Sequence, residues 1–120
     1  TSVAPTQVAK LARELLRLGA EAAIVTMGAA GLVAVDSRSD LAATTWHAQV
    51  PRMAGNPVGA GDAATAALAA GLLSGADLPQ ILRSMAAAGA AAVLEPVAGR
   101  ISMADYHALL PQVALQSLTA

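Results

Sequence analysis

The chain has no cysteine and no phenylalanine, one Trp, one Tyr, and only 12% charged residues. Without cysteine there is neither a disulfide framework nor a thiolate metal site. Trp46 and Tyr106 are too few to build a base-stacking platform, and the 7 basic and 8 acidic residues stand singly, with no Lys/Arg cluster. Both absences argue against a nucleic-acid partner. The longest uncharged stretches run to about 14 residues, as over 63–76, short of the roughly 20 that cross a bilayer. The first residues lack the basic region and apolar run of a signal peptide. The opening Thr1 in place of Met fits a start within a gene. A soluble, cytoplasmic protein without membrane partners is expected.

What remains is apolar and small. Hydrophobic residues make up 56% of the 120 positions, roughly a quarter of the chain is alanine, and 10 residues are glycine. The length suits one domain with a core. With so few large side chains, that core must come from close approach of helices and strands. The surplus of apolar surface is expected to face other parts of a larger body.

Segment 6–18 carries apolar residues at Val8, Leu11, Ala12, Leu15 and Leu16, the spacing of an amphipathic helix, with Thr6 as N-cap and Gly19 just past its end. A short buried strand follows over 23–27, a tight turn between Gly28 and Gly31, and a second strand over 31–36 that can pair with the first as a hairpin. A polar stretch over 37–40 leads to a strand over 44–50, ended by Pro51. Residues 52–61 read as a loop punctuated by Pro and Gly. Helices are predicted over 62–74, from an N-cap at Asp77 to about Leu94, and from Ser102 to Leu110, where Ser102 and Asp105 resemble a capping box. A last strand is predicted over 113–118. The order is α-β-β-β-α-α-α-β, a mixed α/β chain with no internal repeat.

The most informative segment is Asn56-Pro57-Val58-Gly59-Ala60-Gly61-Asp62, a loop that opens into a helix. Glycines 59 and 61 allow positive φ and let backbone approach a ligand. The free N–H groups and positive dipole of the helix start then make an anion site. A carboxylate beside bound phosphate would repel it, yet Asp62 makes sense if it takes a proton from a hydroxyl that attacks that phosphate. A plain capping role for Asp62 is the alternative. Residues 59–64 also fit the dinucleotide pattern G-x-G-x-x-A, but that pattern needs a strand just before Gly59 and an acidic residue about 20 positions later. Asn56 and Pro57 make a poor strand, Asp77 comes too early and Glu95 too late.

Residues 56–73, NPVGAGDAATAALAAGLL, resemble the C-terminal signature of the PfkB, or ribokinase-like, carbohydrate kinases. Asn56, Pro57, Gly59, Ala60, Gly61, Asp62, Ala66, Ala67, Leu68 and Ala69 meet its constrained positions. Upstream, Thr26-x-Gly28-x-x-Gly31 resembles the family's nucleotide turn. Val97–Arg100 stands where the family has a Gly-containing loop near the adenine. The trailing residues look most like the phosphosugar branch, which holds 1-phosphofructokinases and tagatose-6-phosphate kinases.

The resemblance implies a ribokinase-like three-layer α/β/α fold, of which residues 1–120 are the C-terminal, ATP-binding portion, without the N-terminal sugar-binding half and its lid. It implies MgATP and a sugar or sugar phosphate as reactants, and it admits a homodimer of the intact protein. Asp62 would be the catalytic base, and the amides of Gly59, Ala60, Gly61 and Asp62 would hold the γ-phosphate. Thr26, Gly28, Gly31, Gly61 and Asp62 would line the nucleotide site. No metal ligand and no sugar ligand is assigned within the chain. Two positions depart from ribokinases: Asn56 replaces an acidic residue, which argues against a monovalent-cation site, and alanines near Ala86 replace an adenine-contacting Asn. A non-catalytic nucleotide-binding or structural fragment is the alternative function, and a dinucleotide-dependent oxidoreductase the third.

Other residues carry less. His47 and His107 lack metal-ligand spacing and read as strand or surface residues. Arg52, close to the active loop, could reach a phosphate and Arg100 in the late loop could touch the nucleotide, but both read first as solvated loop residues; Trp46 reads as a cap on the sheet, and Met27, Met53, Met85 and Met103 as core filler.

Overall fold

The computed structural model describes residues 3–37 and 44–118. Its elements follow in the order α1 (Pro5–Arg17), β1 (Ala22–Thr26), β2 (Leu32–Asp36), β3 (Thr44–Gln49), α2 (Ala60–Ser74), α3 (Leu78–Val93), α4 (Met103–Leu109) and β4 (Ala114–Ser117). Single turns of 3-10 helix lie at Gly28–Ala30 and Leu110–Gln112. This is the order predicted from the sequence. The polar stretch expected over 37–40 lies, after Ser37, outside the described residues.

Thr6 is not the cap of α1. The helix starts one residue earlier, at Pro5, with Ala4 as the cap. A proline at the first helical position has no N–H to leave unpaired, and Gln7 Oε1 accepts the Ala4 amide at 3.3 Å. Gly19 does end the helix as expected. Its φ of +115° lets the Gly19 and Ala20 amides reach back to the carbonyls of Leu16 and Leu15, at 3.1 and 3.2 Å.

The four strands form an antiparallel meander in chain order, with Ala34 opposite both Ile24 and Trp46 and His47 opposite Gln116. Alternation along β2 sends successive side chains to opposite layers. Val33 and Val35 pack with Val8, Ala9 and Ala12 or their neighbours below α1. Leu32 and Ala34 instead join Leu82, Met85 and other residues of α3. The buried Thr45 hydroxyl accepts a hydrogen bond from Arg13 of α1 at 2.8 Å, so this one polar group under α1 is satisfied. The result is a three-layer α/β/α body with α1 on one face of the sheet and α3 on the other.

α3 begins as foreseen, with Asp77 Oδ1 accepting the Gln80 amide at 2.9 Å, and 9 of its 16 residues are buried. Its alanines hold α2 close. A Cβ added at Gly71 of α2 would lie 2.6 Å from Ile81 Cγ1. That overlap outweighs the usual helical gain from Gly to Ala. Gly71→Ala is therefore expected to cost about 1–2 kcal/mol, read as a drop of several degrees in the thermal midpoint.

α2 itself buries only Ala64, and leaves Leu72 and Leu73 59% and 92% exposed. Met85 lies in the main core with Met53 packed against it, and Met27 packs against the smaller cluster under α1, but Met103, in the first turn of α4, is exposed. Trp46 is half-buried against the main core. No helix among the described residues is long and apolar enough to cross a membrane.

Candidate active site

α2 starts at Ala60, two residues before the position read from the sequence. The cap is Gly59, whose φ of +88° turns the chain so that Pro57 carbonyl accepts the Ala60 amide at 3.2 Å. Gly61 and Asp62 therefore stand inside the first turn. The amides of Gly59, Gly61 and Asp62 meet no acceptor among the described residues, whereas those of Ala60 and Ala63 are taken by Pro57 and Gly59. Of the four donors expected for an anion, three are thus free and Ala60 is engaged within the loop. The Asp62 side chain is exposed, and its carboxylate has no hydrogen-bond or ion-pair partner among the described residues.

The loop before α2 is mounted on the end of α3. The Asn56 amide donates to Val93 carbonyl at 2.9 Å, and Asn56 Oδ1 accepts the Val58 amide at 3.1 Å. Gly55 lies so close that a Cβ there would run into the Val93 carbonyl oxygen. On the far side, a Cβ at Gly59 would sit 2.9 Å from the Gly99 amide nitrogen. The stretch Val97–Arg100 accordingly packs on the start of α2.

The second loop, between β1 and β2, is equally fixed. The Met27 amide donates to Gly31 carbonyl at 2.7 Å and the Gly31 amide to Gly28 carbonyl at 3.0 Å. His47 Nε2 lies 2.8 Å from Ala30 carbonyl, so this strand histidine serves as a brace. Gly28 and Gly31 differ in why they are glycine. Both have positive φ, +58° and +89°, but only at Gly31 would a Cβ strike the Ala48 carbonyl of β3. At Gly28 nothing lies within 4 Å, so its missing side chain leaves open space.

A cavity of about 430 Å³ joins the two loops. Thr26, Gly28 and Gly31 line one side, and Ala60 and Gly61 of α2 another. Its volume is in the range of small-molecule sites. Gly59 and Asp62 stand beside the lining rather than in it. Arg52, read first as a solvated loop residue and second as a phosphate contact, is exposed and also lines the cavity, with no hydrogen-bond or ion-pair partner among the described residues. Ala86, Gly89, Ala90 and Val93 of α3 form a further wall. Their i, i+3, i+4, i+7 spacing marks one helical face, but small apolar residues carry no chemical signal.

Other candidates fall away from this cavity. His107 is exposed and lies edge-on to Tyr106, ring centres 5.3 Å apart. Arg100 is exposed and does not line it. Among the described residues no three His, Cys, Asp or Glu side chains gather to hold a metal. The segment ahead of Gly59 is irregular and the sheet is antiparallel, so the strand that a dinucleotide fold requires before its glycines is missing.

The sequence profile described as pfkB family carbohydrate kinase matches residues 1–104. No curated protein matches the chain at the level of sequence. Among solved structures, a Staphylococcus aureus protein assigned as a phosphofructokinase aligns with a TM-score of 0.84 and 25% identity, over 98% of this chain and 37% of that one. Phosphofructokinase-2 from Escherichia coli, solved with substrates and products, aligns with a TM-score of 0.78 and 29% identity, over 91% of this chain and 34% of that one. A ribokinase from Thermotoga maritima gives 0.72 and 26%, over 85% of this chain and 34% of that one. The chain thus spans about a third of the length of the kinases it resembles.

Proposed function

The chain belongs to the pfkB family of carbohydrate kinases, and from that membership we propose that it forms the C-terminal, ATP-binding portion of an enzyme that transfers phosphate from MgATP to a hydroxyl of a sugar or sugar phosphate. The observation that carries this reading is the single cavity shared by the Thr26–Gly31 turn and the start of α2. A triphosphate laid across it meets glycine backbone at one loop and free amides at the other.

In this reading the amides of Gly59, Gly61 and Asp62 donate to the oxygens of the transferred phosphate, where charge accumulates during transfer. Ala60 joins them only by giving up its bond to Pro57. The Asp62 carboxylate accepts the proton of the acceptor hydroxyl as its oxygen attacks the γ-phosphorus and the bond to the ADP oxygen breaks. Asp62 then holds that proton, and ADP leaves with the electron pair of the broken bond. Its free, solvent-facing carboxylate suits a group whose partner arrives with the substrate. Magnesium, when bound, would screen the charge of the phosphates. The acceptor is a sugar phosphate of the kind used by 1-phosphofructokinases or tagatose-6-phosphate kinases. The likeness to phosphofructokinase-2 supports that branch.

The bare outer face of α2, with Leu72 and Leu73, is covered by the remaining two thirds of the kinase fold. The sugar-binding residues come from there, so the 120-residue chain alone binds nucleotide without turning it over. Calorimetric titration of the protein with MgATP tests the reading. Saturable one-to-one binding that is weakened by Gly61→Ala supports it, since Gly61 lines the cavity, its φ is not positive and a Cβ there meets nothing within 4 Å. No binding, or binding untouched by that change in a protein that stays folded, refutes it.

A further inference from the structure

Two side chains on one face of β3 hold the back of the Gly28–Ala30 turn. His47 Nε2 lies 2.8 Å from the Ala30 carbonyl oxygen, and Gln49 Nε2 donates to the Ala29 carbonyl at 3.4 Å. A carbonyl oxygen only accepts, so the His47 ring carries a proton on Nε2. Residues two apart on a strand share a face. His47 stands opposite Val33, on the side covered by α1. On the other side Ala48 enters the main core and Val50 lines the cavity. No further donor reaches either carbonyl among the described residues. His47 itself does not line the cavity, whereas Gly28, Ala29 and Gly31 of the turn do.

Resting on the nucleotide reading above, we propose that His47, with Gln49 beside it, is a positioning residue for the donor nucleotide, which fixes the peptide planes of the Thr26–Gly31 turn before the nucleotide arrives. The turn has little else to fix it. Its own bonds are those of the Met27, Ala30 and Gly31 amides, and at Gly28 there is no side chain and nothing within 4 Å of where a Cβ would stand. A carbonyl oxygen of Ala29 or Ala30 released from β3 is free to rotate toward the cavity, where it opposes an anionic ligand. Held at β3, it stays behind the turn. A protein whose binding-competent form is only partly populated binds more weakly by that fraction. One hydrogen bond shifts such an equilibrium by a factor of about 2–12.

The test compares His47→Gln, whose amide nitrogen can take the place of Nε2, with His47→Thr, which suits a strand but falls short of the turn. In calorimetric titration with MgATP, His47→Thr should bind about fivefold more weakly than wild type and His47→Gln within about twofold of it, with the two thermal midpoints alike. Without nucleotide, hydrogen exchange at the Ala30 and Gly31 amides should be faster in His47→Thr alone. Wild-type affinity in both variants overturns the inference. Equal weakening in both overturns it too, because the ring and not its donor would then matter. If His47→Thr does not fold, Gln49→Ala takes its place, since Gln49 is exposed. Faster exchange at Ala30 with weaker MgATP binding in that variant supports the inference, and no change in either overturns it. A wild-type protein that does not bind MgATP overturns the nucleotide reading itself, and with it this inference. MgATP bound equally by wild type and variants leaves that reading standing, so the two failures are distinct.

Discussion

Asp62→Asn is expected to abolish phosphoryl transfer by the intact kinase while leaving nucleotide binding in place. The substitution keeps the shape of the side chain and removes its negative charge and its capacity to take a proton. General-base contributions run to about 10²–10⁴ in rate, so kcat should fall by at least a hundredfold. Binding should not fall with it. The Asp62 carboxylate stands beside amides that are free to meet phosphate, and at close range it opposes the anionic nucleotide. Neutralising it removes that repulsion, so MgATP should bind as tightly as before or slightly more so. Folding is expected to change little. A negative charge in the first turn of a helix is worth about 0.3–1 kcal/mol, and Asp62 has no other partner among the described residues to lose. Steady-state kinetics and calorimetry on the same variant decide the matter. Turnover close to wild type removes Asp62 as the base. Joint loss of binding and turnover, with the fold retained, would make it a nucleotide ligand instead.

The elements of this fold were legible because their punctuation is chemical. Asp77 and Ser102 each accept a backbone amide three residues on, and Gly19 takes the left-handed turn its position demands. Branched runs over 22–26 and 32–36, interrupted by two glycines, became the paired strands β1 and β2. Errors arose where backbone bonding displaced side-chain capping. Thr6 looked like a cap, but Pro5 fits the first helical position and moved the start back. Asp62 looked like the start of α2, but a left-handed Gly59 and the Pro57 carbonyl closed the turn two residues sooner.

The candidate site was legible at its ends and silent in its middle. Thr26, Gly28 and Gly31 stand out through the resemblance to the family's nucleotide turn, and Gly59, Gly61 and Asp62 as a glycine loop that opens a helix, and both loops border one cavity. The α3 wall between them is Ala, Gly, Met and Val, which in a chain this rich in alanine look like any packed helix. Arg52 ranks as a solvated residue ahead of a phosphate contact because a lone arginine in a Pro- and Gly-punctuated loop has no pattern around it; the path of the chain from β3 to α2 places it at the cavity while leaving it exposed. Met103 shows the reverse error, an apolar residue assigned to the core that faces solvent.

Glycines 61 and 31 separate function from fold, and substituting each by alanine should give opposite results. Gly61 sits in the first turn of α2, its φ is not positive, and a Cβ there would meet nothing within 4 Å. The fold therefore does not require glycine at this position, and a helical glycine costs about 0.5–1 kcal/mol relative to alanine. Gly61→Ala should leave the protein as stable as before or more stable by that amount. Yet Gly61 lines the cavity and its amide is free, so the added methyl occupies the space through which a phosphate approaches. Affinity for MgATP should drop by at least tenfold while the thermal midpoint holds or rises. Gly31→Ala reverses both terms. Its φ of +89° is strained for alanine, and the methyl would overlap the Ala48 carbonyl oxygen of β3. Relief requires β2 and β3 to part at the end of their ladder, at a cost of about 3–4 kcal/mol when backbone strain and overlap are combined. Thermal unfolding of the two variants, followed by nucleotide titration of whichever stays folded, reads both effects. A destabilised Gly61→Ala would mean that α2 needs its glycine for packing, and unchanged ATP affinity in a stable Gly61→Ala would remove the start of α2 from the phosphate site.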